Sequence, residues 1–183
     1  MTSPVPPMWK QKLGTLFKRF DKAGKGHLTR DDINSQVDLF EAKGCLNSTD
    51  GNELRDLFGK LWSFFFNGSD SVDLEQWIKS HLTLIIPGTS KVNVWDNILK
   101  RTGTLMFRAA DKQGRGIMSE EEFSIYLTCL GLEGDKFGKD IFKRLNVSSD
   151  GKVSEDEFLQ MFYDFVYNKE DAPSKELMGP LCC

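Results

Sequence analysis

The chain has 183 residues, enough for one or two small domains to bury a hydrophobic core without disulfides or metals as cross-links. Its formal net charge of -3 leaves no basic surplus to neutralise phosphates, which argues against nucleic acid as a partner. No apolar stretch is long enough for a signal peptide or a membrane span. We therefore expect a cytoplasmic protein whose four cysteines are free thiols, and we take it to be a monomer.

Apolar residues recur at helical spacing along the chain and predict an all-α protein. Trp9, Leu13 and Phe17 begin the pattern, which stops in the Gly-rich segment 21–26 and resumes at Ile33. The first forty residues therefore predict a helix, a loop and a second helix. This arrangement returns three times, which predicts eight helices and no strand longer than a short pairing segment.

Four helix-loop-helix units should pack in two pairs, because one unit cannot bury its own apolar face. Pro87 and Gly88 interrupt helical continuity between the second and third units. We expect the pairs to form two lobes of one compact body. The N-terminal pair spans residues 1–86, with loops 21–32 and 65–76, and the C-terminal pair spans 87–183, with loops 111–122 and 146–157 and a C-terminal tail, 168–183.

The spacing of oxygen-bearing residues in these loops is typical of a divalent-cation site. A calcium loop of about 12 residues wraps roughly six to eight oxygens around the ion. Side chains at positions 1, 3, 5 and 12 and the backbone carbonyl of position 7 are ligands, and position 9 often acts through water. Position 6 is usually Gly because the chain turns sharply there, and position 8 is an apolar residue suited to pairing with the neighbouring loop.

The two C-terminal loops keep this frame best. Loop 4 has an oxygen-bearing side chain at positions 1, 3, 5, 9 and 12 and no cation at a ligand position. Loop 3 keeps both acidic ends but has Arg115 at position 5. The candidate ligands are Asn146, Ser148, Asp150, the Lys152 carbonyl, Ser154 and Glu157 in loop 4, and Asp111, Gln113, the Ile117 carbonyl and Glu122 around Arg115 in loop 3.

The two N-terminal loops are more degraded. Loop 1 keeps Asp21 and Asp32 at its ends but has Lys25 at position 5. Asp32 is one methylene shorter than Glu, which disfavours bidentate closure and favours the smaller magnesium ion. If Val72 is position 8 of loop 2, Gln76 stands at its position 12 and a Phe at its position 1, so loop 2 should not bind metal.

A cation at position 5 weakens a metal site in two ways. At about 5 Å and an effective dielectric near 20, its repulsion of a divalent ion is roughly 6 to 7 kcal/mol. Lys25 and Arg115 are long enough to swing away from a bound ion, which would remove most of this repulsion but leave a ligand missing. The predicted order of affinity is loop 4, then loop 3, then loop 1.

These features resemble the invertebrate sarcoplasmic calcium-binding proteins of the EF-hand superfamily. The resemblance rests on the four units, the weakened second loop, the aromatic-rich helices and the ending Glu176-Leu177-Met178-Gly179-Pro180-Leu181. It implies a compact calcium and magnesium buffer in which the first and third loops usually hold metal. Lys25 and Arg115 depart from the family pattern.

A second resemblance is to the insect juvenile hormone diol kinases, which share this fold. It implies phosphorylation of an apolar diol by ATP or GTP with magnesium, and it assigns nucleotide binding to Asn168, Lys169 and Asp171, which match N-K-x-D. The phosphate-binding G-x-x-x-x-G-K-[ST] is absent, since the nearest run, 134–140, is one residue short. On the residues alone the match is coincidental, and no catalytic residue is assigned.

The chain is rich in aromatic residues, with fourteen Phe and four Trp. Two interpretations are open: a Phe-rich helical core, or a pocket between the two halves that holds an apolar small molecule. A carrier of an apolar ligand is therefore a third hypothesis beside a cation-binding protein and a kinase.

Overall fold

Helices make up most of the chain, as the apolar spacing predicts. The structure is a computed structural model that describes residues 5–86, 93–145 and 150–182. Within those ranges the eight α-helices are α1 Pro7–Phe20, α2 Arg30–Ala42, α3 Ser48–Phe66, α4 Leu74–His81, α5 Lys100–Ala110, α6 Glu120–Cys129, α7 Gly134–Leu145 and α8 Glu155–Tyr167. A π-helical turn, Trp95–Leu99, leads into α5, and 3-10 turns cover Leu82–Leu84 and Pro173–Glu176.

Four three-residue strands connect the loops in pairs. They are β1 His27–Thr29, β2 Ser71–Asp73, β3 Ile117–Ser119 and β4 Lys152–Ser154. β1 pairs antiparallel with β2 and β3 with β4, with Leu28 opposite Val72 and Met118 opposite Val153. All four of these residues are buried. In the alignment deduced from the sequence each of them is position 8 of its loop, so position 8 pairs with position 8 in both sheets.

Loop 2 has lost the shape of a metal loop. Helix α3 continues to Phe66, two residues into the predicted loop 65–76, and Asn67 ends it in the left-handed region at φ 48°. The Trp62 indole Nε1 donates to the Ser69 carbonyl oxygen at 2.9 Å and holds the shortened turn against the helix. The first positions of this loop are therefore occupied by helix and aromatic core.

The two halves share one hydrophobic core, as expected for a compact body. Helix α1 of the first half docks on the end of α8: the Trp9 indole donates to the Val166 carbonyl at 2.8 Å, and the buried Lys12 ammonium donates to the Asn168 carbonyl at 2.6 Å. Desolvation of Lys12 lowers its pKa to about 8. The boundary proposed at Pro87 lies outside the described residues.

A disulfide joins the two halves, so the prediction of four free thiols is wrong. Cys45, in the connection after α2, is bonded to Cys129 at the end of α6. Their sequence separation of 84 carries no spacing signal, because only the packing of one half on the other brings the two cysteines together. Cys182 is a free thiol, and Cys183 lies outside the described residues.

The C-terminal tail is packed into the core, although a terminal segment is ordinarily expected to fray. Leu177 and Met178 are 0% and 2% exposed. The Arg19 guanidinium donates to the carbonyls of Met178 and Pro180 at 3.2 and 2.7 Å. The tail therefore packs against α1, and the burial of Leu177 and Met178 holds this segment on the core.

Candidate metal centres

Loop 3 is closed by its own arginine. Nη2 of Arg115 lies 2.7 Å from each carboxylate oxygen of Glu122, the position-12 residue. At the other end of the loop, the Asp111 carboxylate accepts from the backbone N–H groups of Arg115 and Gly116 at 3.0 and 2.7 Å. The guanidinium thus takes the face of Glu122 that a metal ion would use.

Loop 1 repeats this arrangement with a lysine. The Lys25 ammonium lies 2.9 and 2.7 Å from the two carboxylate oxygens of Asp32. The Asp21 carboxylate accepts from the N–H groups of Lys25 and Gly26, each at 2.8 Å. Burial raises the pKa of Asp32, but hydrogen bonds from Lys25 and Thr29 outweigh it and hold the pKa below its usual value.

The outward swing expected of these cations is a response to a bound ion, so it stays a prediction. Both turn inward, onto the acidic residue seven positions along the same loop. Electrostatic attraction explains the direction: the position-12 carboxylates are only 20% and 13% exposed in loops 1 and 3, and a nearby opposite charge offsets the cost of that burial. Each position-5 cation is therefore a substitute for the metal charge.

Loop 4 carries Asp150 at position 5, where loops 1 and 3 carry a cation. The Asp150 carboxylate accepts from the Lys152 N–H at 2.9 Å. The Glu157 carboxylate accepts from the backbone N–H and the hydroxyl of Ser154 at 2.8 Å each, which holds it at the end of the loop. Two predicted ligands, Asn146 and Ser148, lie outside the described residues.

The same helix start holds position 12 in each metal-type loop. In loops 1, 3 and 4 a hydroxyl residue at position 9 caps the following helix and the position-12 acid bonds back to its N–H, which forms a capping box. The residues at position 9 are Thr29, Ser119 and Ser154. Across residues 5–86, 93–145 and 150–182, no cluster of three or more His, Cys, Asp or Glu suits a metal ion. At the ligand positions, loops 1 and 3 offer two acidic side chains each, at positions 1 and 12.

The N-K-x-D segment lies at the end of α8 and does not follow a strand. Asn168 is the C-cap residue of that helix, and its backbone carbonyl accepts a hydrogen bond from the Lys12 ammonium. Its side-chain oxygen accepts a hydrogen bond from the Glu170 N–H at 2.9 Å. Asp171 pairs with Lys175 at 2.5 Å. Asn168 and Asp171 are therefore bonded within the tail and at its junction with α1.

A cavity of about 110 Å³ lies between the two halves, where the sequence suggested a pocket. Most of its wall is aliphatic or aromatic, and three polar side chains reach it: Gln36, His81 and Thr102. The aromatic count pointed to such a space, but no pattern in the sequence singles out these three side chains. In the part of the chain that the structure describes, no helix is both long and apolar enough to cross a membrane.

Known proteins share this architecture. Residues 104–163 match the family model of the EF-hand domain pair. A sarcoplasmic calcium-binding protein of Perinereis vancaurica tetradentata is 28% identical over 177 residues, which is 95% of this chain and 98% of that protein. The match spans both halves, so the likeness extends well beyond the C-terminal pair.

Two solved structures extend the likeness to the fold of the whole chain. A sarcoplasmic calcium-binding protein from amphioxus superposes with a TM-score of 0.70 at 18% identity, over 97% of this chain and 99% of that chain. A coelenterazine-binding protein from Renilla muelleri, in the calcium-loaded apo form, gives 0.64 at 20% identity, over 99% and 100%. The prediction of an all-α body of four EF-hand units is confirmed.

Proposed function

We propose that this chain, which belongs to the EF-hand superfamily, is a calcium- and magnesium-binding protein of the sarcoplasmic calcium-binding type. The observation that carries the proposal is the preserved end of loops 3 and 4. In both, a glutamate at position 12 is held toward the loop by the capping box that begins the next helix. Position 12 supplies two oxygens to calcium at once, so its placement matters more than that of any other ligand.

We assign the strongest site to loop 4. There Asp150, Glu157 and the Lys152 carbonyl would hold the ion, together with Asn146 and Ser148 by the sequence pattern. A bound ion would supply positive charge, and the residues of the loop would supply the oxygen ligands around it. Loop 4 has two carboxylates among these ligands, fewer than the tightest sites, so we expect micromolar or weaker affinity, on the order of 10⁻⁶ M or above.

In loops 3 and 1 the metal competes with an internal cation. To use Glu122, calcium must displace the Arg115 guanidinium, and to use Asp32 it must displace the Lys25 ammonium. Gln113 and the Ile117 carbonyl complete the ligand set that we assign to loop 3, and Asp21 that of loop 1. Each displacement subtracts from the binding free energy, so these two loops should follow loop 4.

Calorimetric titration of the chelator-stripped protein tests this proposal. We expect one dominant calcium-binding event, with magnesium competing for it. Heat that saturates with neither ion up to millimolar concentration would contradict a cation-binding function. Two or more equal, tight calcium sites would contradict the assigned order of the loops.

A second candidate function is carriage of an apolar small molecule, and the cavity between the halves favours it. The Renilla muelleri neighbour with the same fold is described as coelenterazine-binding, which shows that this fold can carry an organic ligand there. We propose only that this chain carries an apolar molecule, and not that the molecule is coelenterazine, because its cavity is lined by its own set of residues.

The diol kinase alternative finds little support in the geometry. Asn168, Lys169 and Asp171 lie on the tail, and N-K-x-D needs a position after a buried strand to recognise a base. If ATP or GTP binds at all, we expect its affinity to survive replacement of Asn168 and Asp171 by Ala. Titration of both nucleotides into parent and double variant checks this, and a loss of binding restricted to the variant would restore the kinase hypothesis.

We also propose a cytoplasmic location and a monomeric state. The location is supported by the likeness to a relative whose name places it in the sarcoplasm. Light scattering on the metal-free and calcium-loaded protein tests the monomer, and imaging of a tagged chain tests the location.

A further inference from the structure

The Cys45–Cys129 disulfide joins two particular helices. Helix α2 follows loop 1, and helix α6 follows loop 3. Cys129 is the last residue of α6. Cys45 lies shortly after the end of α2, and its backbone N–H donates to the Phe40 carbonyl at 2.8 Å, which fixes it to that helix. The bond therefore connects the far ends of the helices that leave loops 1 and 3.

The near ends of the same two helices carry the position-12 acids. Asp32 lies in the first turn of α2 and Glu122 in the first turn of α6, where each forms a capping box. Each acid is paired with the internal cation of its loop, Lys25 or Arg115. Helix α8, which leaves loop 4, contains no cysteine. The disulfide thus acts on the helices of loops 1 and 3 and not on that of loop 4.

Calcium binding and this bond act on the same motion. To bind calcium, the position-12 acid must leave the internal cation and turn both of its oxygens to the ion. Because this acid belongs to the helix, its movement shifts the helix, as in EF-hand sensors whose helix pair changes its angle on binding. The disulfide resists the shift, since it holds the other ends of α2 and α6 together. Breaking the bond removes that resistance.

A polar cleft gives a small thiol access to the bond from the side of Cys45. The cleft measures about 620 Å³, and its wall includes Cys45, Asp111 and Lys112, so it lies between the α2–α3 connection and loop 3. Cys45 is 6% exposed and Cys129 1%, which makes Cys45 the more accessible residue. Clefts of roughly 300–1,000 Å³ accommodate drug-sized molecules, so a small dithiol fits.

A second contact holds the two helices together when the disulfide is broken. The Gln36 amide of α2 donates to the Cys129 carbonyl at 2.7 Å, and both residues are buried. This hydrogen bond does not involve the sulfur atoms, so reduction leaves its donor and acceptor intact. It would keep Cys129 near Cys45 after reduction, which favours re-formation of the disulfide.

We propose that the Cys45–Cys129 bond is a thiol–disulfide switch that lowers the calcium affinity of loops 1 and 3 while the disulfide is formed. The inference rests on the proposed cation-binding function and adds its regulation. It also agrees with the proposed cytoplasmic location, because cytosolic disulfides are usually transient or redox-sensing.

The reductant is a dithiol, and the exchange balances in two steps. One thiolate of the dithiol bonds to the Cys45 sulfur, and the Cys129 sulfur leaves with the electron pair and takes up a proton. The second thiolate of the dithiol then bonds to the first sulfur of the dithiol, and the Cys45 sulfur leaves in the same way. The products are two cysteine thiols and one oxidised dithiol.

Calcium titration of the oxidised and the reduced protein tests the switch. Mass spectrometry after alkylation should find Cys45 and Cys129 modified only in the reduced form. NMR then follows two N–H groups that bond to position-1 carboxylates, that of Gly116 at 2.7 Å and that of Gly26 at 2.8 Å. Both should respond at calcium concentrations at least about fivefold lower in the reduced form, which is the lower end of typical coupling between two sites. The Lys152 N–H of loop 4 should respond alike in both forms.

Two variants and a linkage measurement sharpen the test. Cys45→Ala should titrate as the reduced native protein does, with or without dithiol. Cys182→Ser is the matched control, because Cys182 is a free thiol outside the bond, and it should keep the full difference between the redox forms. By thermodynamic linkage, calcium must favour reduction by the same factor that reduction favours calcium. In a dithiol buffer of fixed ratio, the reduced fraction of the native protein should therefore rise when calcium is added.

The outcomes separate the switch from the function on which it rests. Equal or tighter calcium binding by loops 1 and 3 in the oxidised form overturns the switch, and so does a bond that a dithiol does not reduce in the folded protein. Calcium bound at loop 4 alone, in both forms, overturns the switch and leaves the cation-binding function standing. If neither form binds calcium, both fail. If Cys45→Ala does not fold, the effect of calcium on the redox equilibrium of the native protein decides the matter.

Discussion

Loops 3 and 4 share one frame, and the sign of the charge at position 5 is opposite in the two. Both pair through position 8, both end in glutamate and both hold that glutamate with a capping box. Position 5 is Arg115 in loop 3 and Asp150 in loop 4. Loop 3 thereby carries its own cation at position 5, whereas loop 4 carries an anionic ligand there and the neutral Asn146 at position 1. The comparison shows that an EF-hand loop can keep its shape while exchanging an external ion for an internal one.

Loop 1 belongs with loop 3 in this respect. Its Lys25 sits on Asp32 as Arg115 sits on Glu122, although the cation and the acid both differ in type. One such pair lies in each half of the molecule. We infer that closure of these two loops depends less on calcium than closure of loop 4 does.

The largest effect is expected from Glu157→Gln in loop 4. The change removes one negative charge and one strong oxygen ligand at the bidentate position. Calcium affinity measured by calorimetry should fall at least about tenfold, with most of the heat lost. Glu155→Gln is the matched control, because Glu155 occupies position 10 of the same loop and is not a ligand position. If Glu157→Gln binds as the parent does while Asp21→Ala loses calcium, loop 1 holds the site and the comparison fails.

Arg115→Asp should have the next largest effect, in the opposite direction. It removes the internal cation from Glu122 and adds a carboxylate at position 5, so loop 3 becomes more like loop 4. A second calcium site should appear or strengthen about tenfold. Lys112→Asp makes the same charge change at position 2, which is not a ligand position, and separates ligand geometry from net charge. Equal gains in calcium affinity from both variants would mean that the net charge near loop 3, and not the Arg115–Glu122 ion pair, limits its affinity.

Lys25→Met should have the smallest effect, on stability of the metal-free protein. The pair with Asp32 is partly exposed, and such pairs contribute about 0.5 kcal/mol. Urea unfolding should therefore show a small decrease for Lys25→Met and none for Lys25→Arg, which keeps a cation.

The pH dependence of this pair has a definite sign. The folded pKa of Asp32 lies below its usual value, so the unfolded chain binds a proton at higher pH than the folded chain does. The stability it contributes is present above the ordinary Asp pKa and is lost as pH falls through the folded value. Lys25→Met should flatten that loss. A steeper acid transition in the variant would contradict the pairing.

Local patterns in the sequence were sufficient to predict the helices and the position of each residue within its loop. Helical spacing predicted the eight helices, and the fixed offset of position 8 predicted which residues face each other, including Leu28 and Val72. Both depend on neighbours within about a dozen residues, where the geometry of a loop or helix leaves few alternatives. The prediction that loop 2 does not bind metal is equally local, because it rests on Gln76 at position 12 of that loop.

The rest was decided by contacts between distant segments. The Cys45–Cys129 disulfide, the tail packed through Met178, and the hydrogen bond from the Gln36 amide to the Cys129 carbonyl all need the two halves to be docked first. The Arg115 side chain turns toward the largely buried Glu122 carboxylate, and the length of the arginine side chain alone did not indicate this orientation. The sequence by itself determined how each unit folds. The tertiary structure decided which side chains meet, because desolvation and partner charge arise only when the units are packed together.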